Sequence, residues 1–94
     1  MTDGTASGRF TIVNQRGLHA RAATKLVQLA GSFPCEVTLI GPDGEGANGK
    51  SVMGVLLLCG SMGTVVEVRA RGDRAAEAVA EIGKLIADRF GEPE

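Results

Sequence analysis

Arg9-Phe10-Thr11-Ile12-Val13-Asn14-Gln15-Arg16-Gly17-Leu18-His19-Ala20-Arg21-Ala22-Ala23 changes its period midway, and that change decides the fold. Arg9 to Val13 alternates, with Phe10 and Ile12 on one face, which is the pattern of a half-buried strand. Asn14-Gln15-Arg16-Gly17 reads as a loop. Beyond it Ala22, Ala23, Leu26, Val27, Leu29 and Ala30 recur at three- and four-residue spacing. That spacing predicts an amphipathic helix from Ala20 to Ala30, with Gly31 as its C′ residue. His19, the only histidine, therefore stands at a helix start. Unpaired N–H groups and the helix dipole favour anions there. Arg21 adds a permanent cation whose planar fork suits phosphate oxygens. A histidine that carries a phosphoryl group needs these surroundings.

The rest of the chain extends this start. Glu36 to Ile40 reads as a strand with Val37 and Leu39 inward, and Gly41-Pro42-Asp43-Gly44 as a turn. Gly46 to Gly49 makes at best a weak short strand. Ser51 precedes a short apolar helix from Val52 to about Leu57, and Gly60 to Gly63 is a loop. Thr64 to Ala70 has strong β-propensity, with Val66 and Val68 sharing a face. Gly72-Asp73 opens the last helix, Asp73 serving as N-cap. Val79, Ile82, Ile86 and Phe90 form its buried stripe, and Arg74, Glu77, Glu81, Lys84 and Asp88 its wet one. The order is β-α-β-β-α-β-α. The short link between the second and third strands requires a hairpin, because parallel neighbours need a long crossover. The expected fold is α+β: an open-faced sandwich of a four-stranded antiparallel sheet with three helices on one face. Residues 1–8 read as a disordered lead-in, 9–90 as the single domain, and 91–94 as a C-terminal tail.

Composition narrows the function. Ninety-four residues support one core, which buries roughly 60–65% of the unfolded surface. A net charge of −1 and three aromatic residues give neither a nucleic-acid footprint nor a stacking platform. The apolar run from Val52 to Cys59 is broken by Gly54 and is too short to insert into a membrane. The first eight residues hold no apolar signal region, so a cytoplasmic protein is expected. Cys35 and Cys59 form no metal or redox pattern and read as two small buried hydrophobes. The acidic residues are dispersed, and His19 has no second histidine or paired cysteine beside it, so neither metal nor cofactor is expected.

Two separated motifs, Gly17-Leu18-His19-Ala20-Arg21 and Gly49-Lys50-Ser51-Val52-Met53-Gly54-Val55, give the chain its family resemblance, together with Gly63-Thr64-Val65-Val66. From about Arg9 to Phe90 it resembles HPr, the histidine-containing phosphocarrier of the phosphoenolpyruvate-dependent phosphotransferase system. The resemblance implies that His19 accepts phosphate on Nδ1 from enzyme I and hands it to an enzyme IIA component, and that Arg21 steadies the phosphoryl group. It also implies that Ser51 is the regulatory site of HPr kinase/phosphorylase, which the Ser-Val-Met-Gly-Val run suits. A stoichiometric carrier, acting as a monomer, is expected, and not a turnover enzyme. Proline usually follows the family's arginine. Here the residue is Ala22, which is compatible with a helix but leaves the first turn without proline's fixed φ.

Each reading has a plainer competitor. Ser51 before a helix is an ordinary N-cap whatever else it does. Val52, Met53 and Leu56 cannot all face the core if Val55 and Leu58 do, so they are either scattered surface residues or a docking patch. A nitrogen-branch (NPr-type) paralogue or a purely regulatory binding module would share the fold. Retention of both His19 and Arg21 speaks against the purely regulatory form. A small-molecule-binding domain of ferredoxin-like type would leave both motifs unexplained.

Overall fold

The structure is a computed structural model that describes residues 4–58 and 60–94. The expectation for Cys59 lies outside the described residues. Four strands, β1 (Thr5–Thr11), β2 (Glu36–Ile40), β3 (Gly46–Asn48) and β4 (Val65–Arg71), form one antiparallel sheet in the order β1-β4-β2-β3. Three helices, α1 (Ala20–Gly31), α2 (Val52–Leu57) and α3 (Ala75–Ala87), complete the open-faced sandwich. Val37, Leu39, Val66, Val68 and Ala70 point from the sheet into a single core, where they meet Leu26, Val55, Ile82 and Ile86. Alternation in the strands and three- and four-residue spacing in the helices turn these apolar residues to a common side.

Gly83 sets how closely α3 approaches the sheet. A Cβ there would lie 2.3 Å from the Phe10 ring. The bare helix surface lets the ring of a β1 residue lie against it. Phe10 pairs with Val66 across the sheet, so this contact also ties α3 to the strand register.

Several expectations need correction. Residues 5–8 are not a disordered lead-in: Thr5 to Gly8 belong to β1 and pair with Arg71 to Val68. They carry little apolar signal because their order comes from the partner strand. Gly31 is not the C′ residue of α1. It is the last helical residue, and Ser32 caps the helix in the right-handed region. Asp73 is not the cap of α3. Arg74 holds that place with φ +64° and no side-chain cap bond. Its guanidinium instead makes a two-pronged bond to Glu77 and lies 4.9 Å from the Phe33 ring centroid. Phe90 is fully buried but does not extend the α3 stripe, since the helix ends at Ala87. A single 3-10 turn, Arg89–Gly91, follows, with Arg89 and Phe90 at positive φ. That reversal sends the last residues back across α1. The tail 91–94 is therefore part of the folded body: Gln15 N–H donates to the Glu94 carbonyl at 2.7 Å, and Lys25 Nζ to the Phe90 carbonyl at 2.7 Å.

Candidate functional site

The loop between β1 and α1 is built from inside. Asn14, fully buried, donates its amide to the Gly17 carbonyl at 2.9 Å. Gly17 N–H returns a bond to the Asn14 carbonyl at 3.1 Å. Leu18 N–H reaches the Gly60 carbonyl at 2.7 Å and so fastens this loop to the one before β4. Gly17 takes φ +68°, a conformation that glycine adopts without cost. His19 follows in extended conformation as N-cap of α1.

The ring of His19 is held at both nitrogens. Nδ1 accepts from Arg21 N–H at 3.3 Å. Nε2 is bonded to Glu92 Oε2 of the C-terminal tail. With Nδ1 accepting, the proton sits on Nε2 and is donated to the carboxylate. Glu92 is itself positioned by Asn14, whose second amide hydrogen goes to Oε1 at 3.0 Å. The Asn14 bond first, then the His19 bond and the charges of His19 and Arg16, hold the Glu92 carboxyl below the usual carboxylate range, against the opposing effect of burial.

Arg21 is exposed, and among the described residues its guanidinium makes no hydrogen bond. It borders a cavity of about 220 Å³ with Gln15, Arg16, Glu92, Pro93 and Glu94. Arg16 and Arg21 thus line one cavity with Glu92, the residue bonded to the ring. Ala22 is fully buried in the first turn of α1, which forms without proline.

Ser51 caps α2: its Oγ accepts from Gly54 N–H at 3.1 Å. Lys50 of the same motif has structural work, donating Nζ to the Phe33 carbonyl at 2.7 Å. The three apolar residues expected to share a docking patch part company. Met53 is 67% exposed, whereas Val52 and Leu56 are half-buried against the core. Leu57, at 72% exposure, was assigned to the helix but not to its outer face. Asn14 and Glu92 were missed too. A polar residue in a loop and an acid three residues from the end carry no local signal. Only the turn at Arg89 and Phe90 brings Glu92 to the histidine.

No helix among the described residues is long and apolar enough to cross a membrane. An open-faced sandwich with a histidine at a helix start, two residues before an arginine whose guanidinium makes no hydrogen bond among the described residues, has the form of a small phosphocarrier domain. Residues 6–88 match the family model described as the PTS HPr component phosphorylation site. The phosphocarrier protein HPr of Cupriavidus necator is 44% identical over 84 residues, covering 89% of this chain and 93% of that one. The crystal structure of HPr-C-His from Thermoanaerobacter tengcongensis superposes with a TM-score of 0.89 at 37% identity, over 95% of this chain and 99% of that one. An HPr dimer from the same organism gives a TM-score of 0.73 at 41% identity, over 86% and 92% of the two chains. The chain belongs to the HPr family and is a phosphocarrier of the phosphotransferase system.

Proposed function

We propose that His19 Nδ1 is the phosphoryl acceptor, charged by phospho-enzyme I and discharged to an enzyme IIA component. The observation that carries this reading is the differing use of the two ring nitrogens. Nε2 is occupied by Glu92, while Nδ1 keeps its lone pair at the helix start. Among the described residues its one bond is a long one from a backbone N–H. Phosphoryl transfer proceeds through a loose transition state, so positioning and charge stabilisation supply most of the catalysis. The N–H groups at the start of α1 and the Arg21 guanidinium offer both to the phosphoryl oxygens. The protein is consumed and regenerated once per transfer, as a carrier in the cytoplasm. The test is incubation with phosphoenolpyruvate and enzyme I, read by intact mass. One acid-labile phosphoryl group is expected, and an acid-stable one overturns the assignment. Size-exclusion of the same sample tests the expected monomer, against which stands the dimer of the Thermoanaerobacter relative.

Arg21→Ala is expected to leave circular dichroism unchanged. The lost charge-assisted bond is worth roughly 1.5–3 kcal/mol, so transfer should slow by about ten- to a hundredfold. Unchanged transfer would remove Arg21 from the reaction.

Ser51 is the proposed target of HPr kinase/phosphorylase. Supporting this, Ser51 opens the helix that carries exposed Met53 and Leu57, and α2 packs on α1 beside the acceptor loop. A phosphate adds about −1.5 to −2 charge at neutral pH. That charge would lie beside the apolar surface, formed by Met53 with the edges of Val52 and Leu56, on which enzyme I docks. Enzyme I-dependent phosphorylation is expected to be several-fold slower in Ser51→Asp than in wild type. Ser51→Ala should retain the wild-type rate while losing about 1 kcal/mol of stability with its cap. Equal rates for all three folded proteins would leave Ser51 as a helix cap only.

A further inference from the structure

We propose that the open face of the sheet carries an anion site, formed by Arg69 and Arg71 with Thr5, Ser7, Thr38 and Glu36, whose ligand is a phosphate monoester of a small polyhydroxylated molecule.

Strand alternation creates the site. Residues two apart on a strand share a face, and Arg69 and Arg71 are both exposed on β4, about 7 Å apart along it. Because β4 is an inner strand, each arginine has a neighbour on either side. Thr5 of β1 and Glu36 of β2 flank Arg71, and Ser7 and Thr38 flank Arg69. All six residues border one open cavity of about 470 Å³, a size that suits a small molecule. Thr5 and Ser7 open β1, whereas the acceptor loop follows its last residue, Thr11. The cavity shares no residue with the one beside Arg21.

The side chains define the ligand. Arg69 Nε donates to Glu67 Oε2 at 2.8 Å, which steadies the guanidinium, and among the described residues its terminal nitrogens make no hydrogen bond. The Arg71 guanidinium, although beside Glu36 in the register, forms no hydrogen bond or ion pair within that set. Two such forks on one strand can share the oxygens of one phosphate. The hydroxyls of Thr5, Ser7 and Thr38 can donate to the remaining oxygens or exchange bonds with hydroxyls of the ligand. Glu36 sets the limit. An ionised carboxylate only accepts hydrogen bonds, so it pairs with ligand hydroxyls and repels a second phosphate or a carboxylate. A nucleotide is disfavoured on separate grounds: no lining residue is aromatic, so a base would have no ring to stack on.

The experiment follows the backbone amides of the full-length protein by NMR, in about 0.15 M salt, on addition of ribose 5-phosphate, inorganic phosphate or ribose. Ribose 5-phosphate is expected to give saturable shifts centred on Thr5, Ser7, Thr38, Arg69 and Arg71, with no matching change from His19 to Ala22. Inorganic phosphate should act on the same residues but bind several-fold more weakly, and ribose should not bind detectably. Arg71→Ala should weaken binding of ribose 5-phosphate about tenfold, the low end for a lost charge-assisted bond. Glu36→Ala should erase the preference for ribose 5-phosphate over inorganic phosphate. Arg9→Ala removes a positive charge from the same face but outside the cavity, and should change the affinity less than about twofold. The amide spectrum of each variant reports its fold directly. An Arg71→Ala protein that loses no more affinity than Arg9→Ala would overturn the site, by showing diffuse attraction alone. Equal affinities of wild type for the two phosphates would overturn the ligand class. Shifts absent from the sheet, or saturating first at the start of α1, would overturn the proposal while leaving His19 as acceptor.

Discussion

His19→Ala is expected to yield a folded protein that accepts no phosphoryl group. His19 is the only histidine in the chain, so no second imidazole can take over. The alternative nucleophiles fail on position or chemistry. Ser51 Oγ accepts a helix N–H and has no base beside it among the described residues, and Cys35 is buried. The structural loss is small by comparison. Alanine removes the Nδ1 cap on Arg21 N–H and the tail contact, for about 1 kcal/mol, but leaves the His19 backbone bonds to Gly17 and Ala23. Circular dichroism should therefore match wild type while the mass shift on incubation with phosphoenolpyruvate and enzyme I disappears. Phosphorylation that persists in the variant would end the assignment of His19.

Periodicity carried much of the fold in the sequence. Glu36–Ile40 and the short helix Val52–Leu57 lie where alternation and the Ser51 cap placed them. These elements are specified by their own residues. The misplaced boundaries are those decided by something distant. Thr5 to Gly8 become strand because β4 offers them a ladder, not because their side chains alternate in hydrophobicity. The start of α3 is set by Arg74, held by its pairing with Glu77 and its contact with Phe33, and not by the better capping residue Asp73. The site divides in the same way. His19, Arg21 and Ser51 belong to contiguous motifs that a helix start explains. Glu92 lies 73 positions from the ring it touches, and a hydrogen bond across that separation leaves no pattern in the chain.

Gly17→Ala should produce the largest loss of stability of any single methyl added near the site. The residue sits at φ +68°, which costs an L side chain roughly 1 kcal/mol. The added Cβ would also lie 2.4 Å from the Gly60 carbonyl oxygen and 2.9 Å from Ser61 Cα. Both neighbours are backbone, so neither can swing aside like the end of a side chain. The Gly60 carbonyl is, besides, the acceptor for Leu18 N–H, and moving it loosens the fastening between the two loops. Overpacking of this kind costs about 1–3 kcal/mol, for a total of about 2–4 kcal/mol. In a domain of this size that lowers Tm by roughly 10–25 °C. Gly44→Ala is the matched control. Its φ of +82° is equally unfavourable, but no atom lies within 4 Å of the added methyl, so only the conformational share should appear. The functional cost should exceed what the lost stability explains. The Gly17 carbonyl accepts from both Asn14 and His19 N–H, so displacing it moves the acceptor ring and the amide that orients Glu92 together. A shift near 1 Å in a reacting group can cost about a hundredfold in rate. Thermal melts and transfer rates measured well below Tm separate the two effects. Equal Tm losses in Gly17→Ala and Gly44→Ala would mean that the Gly60 loop yields freely. The fastening between the two loops would then not be what holds His19 in place.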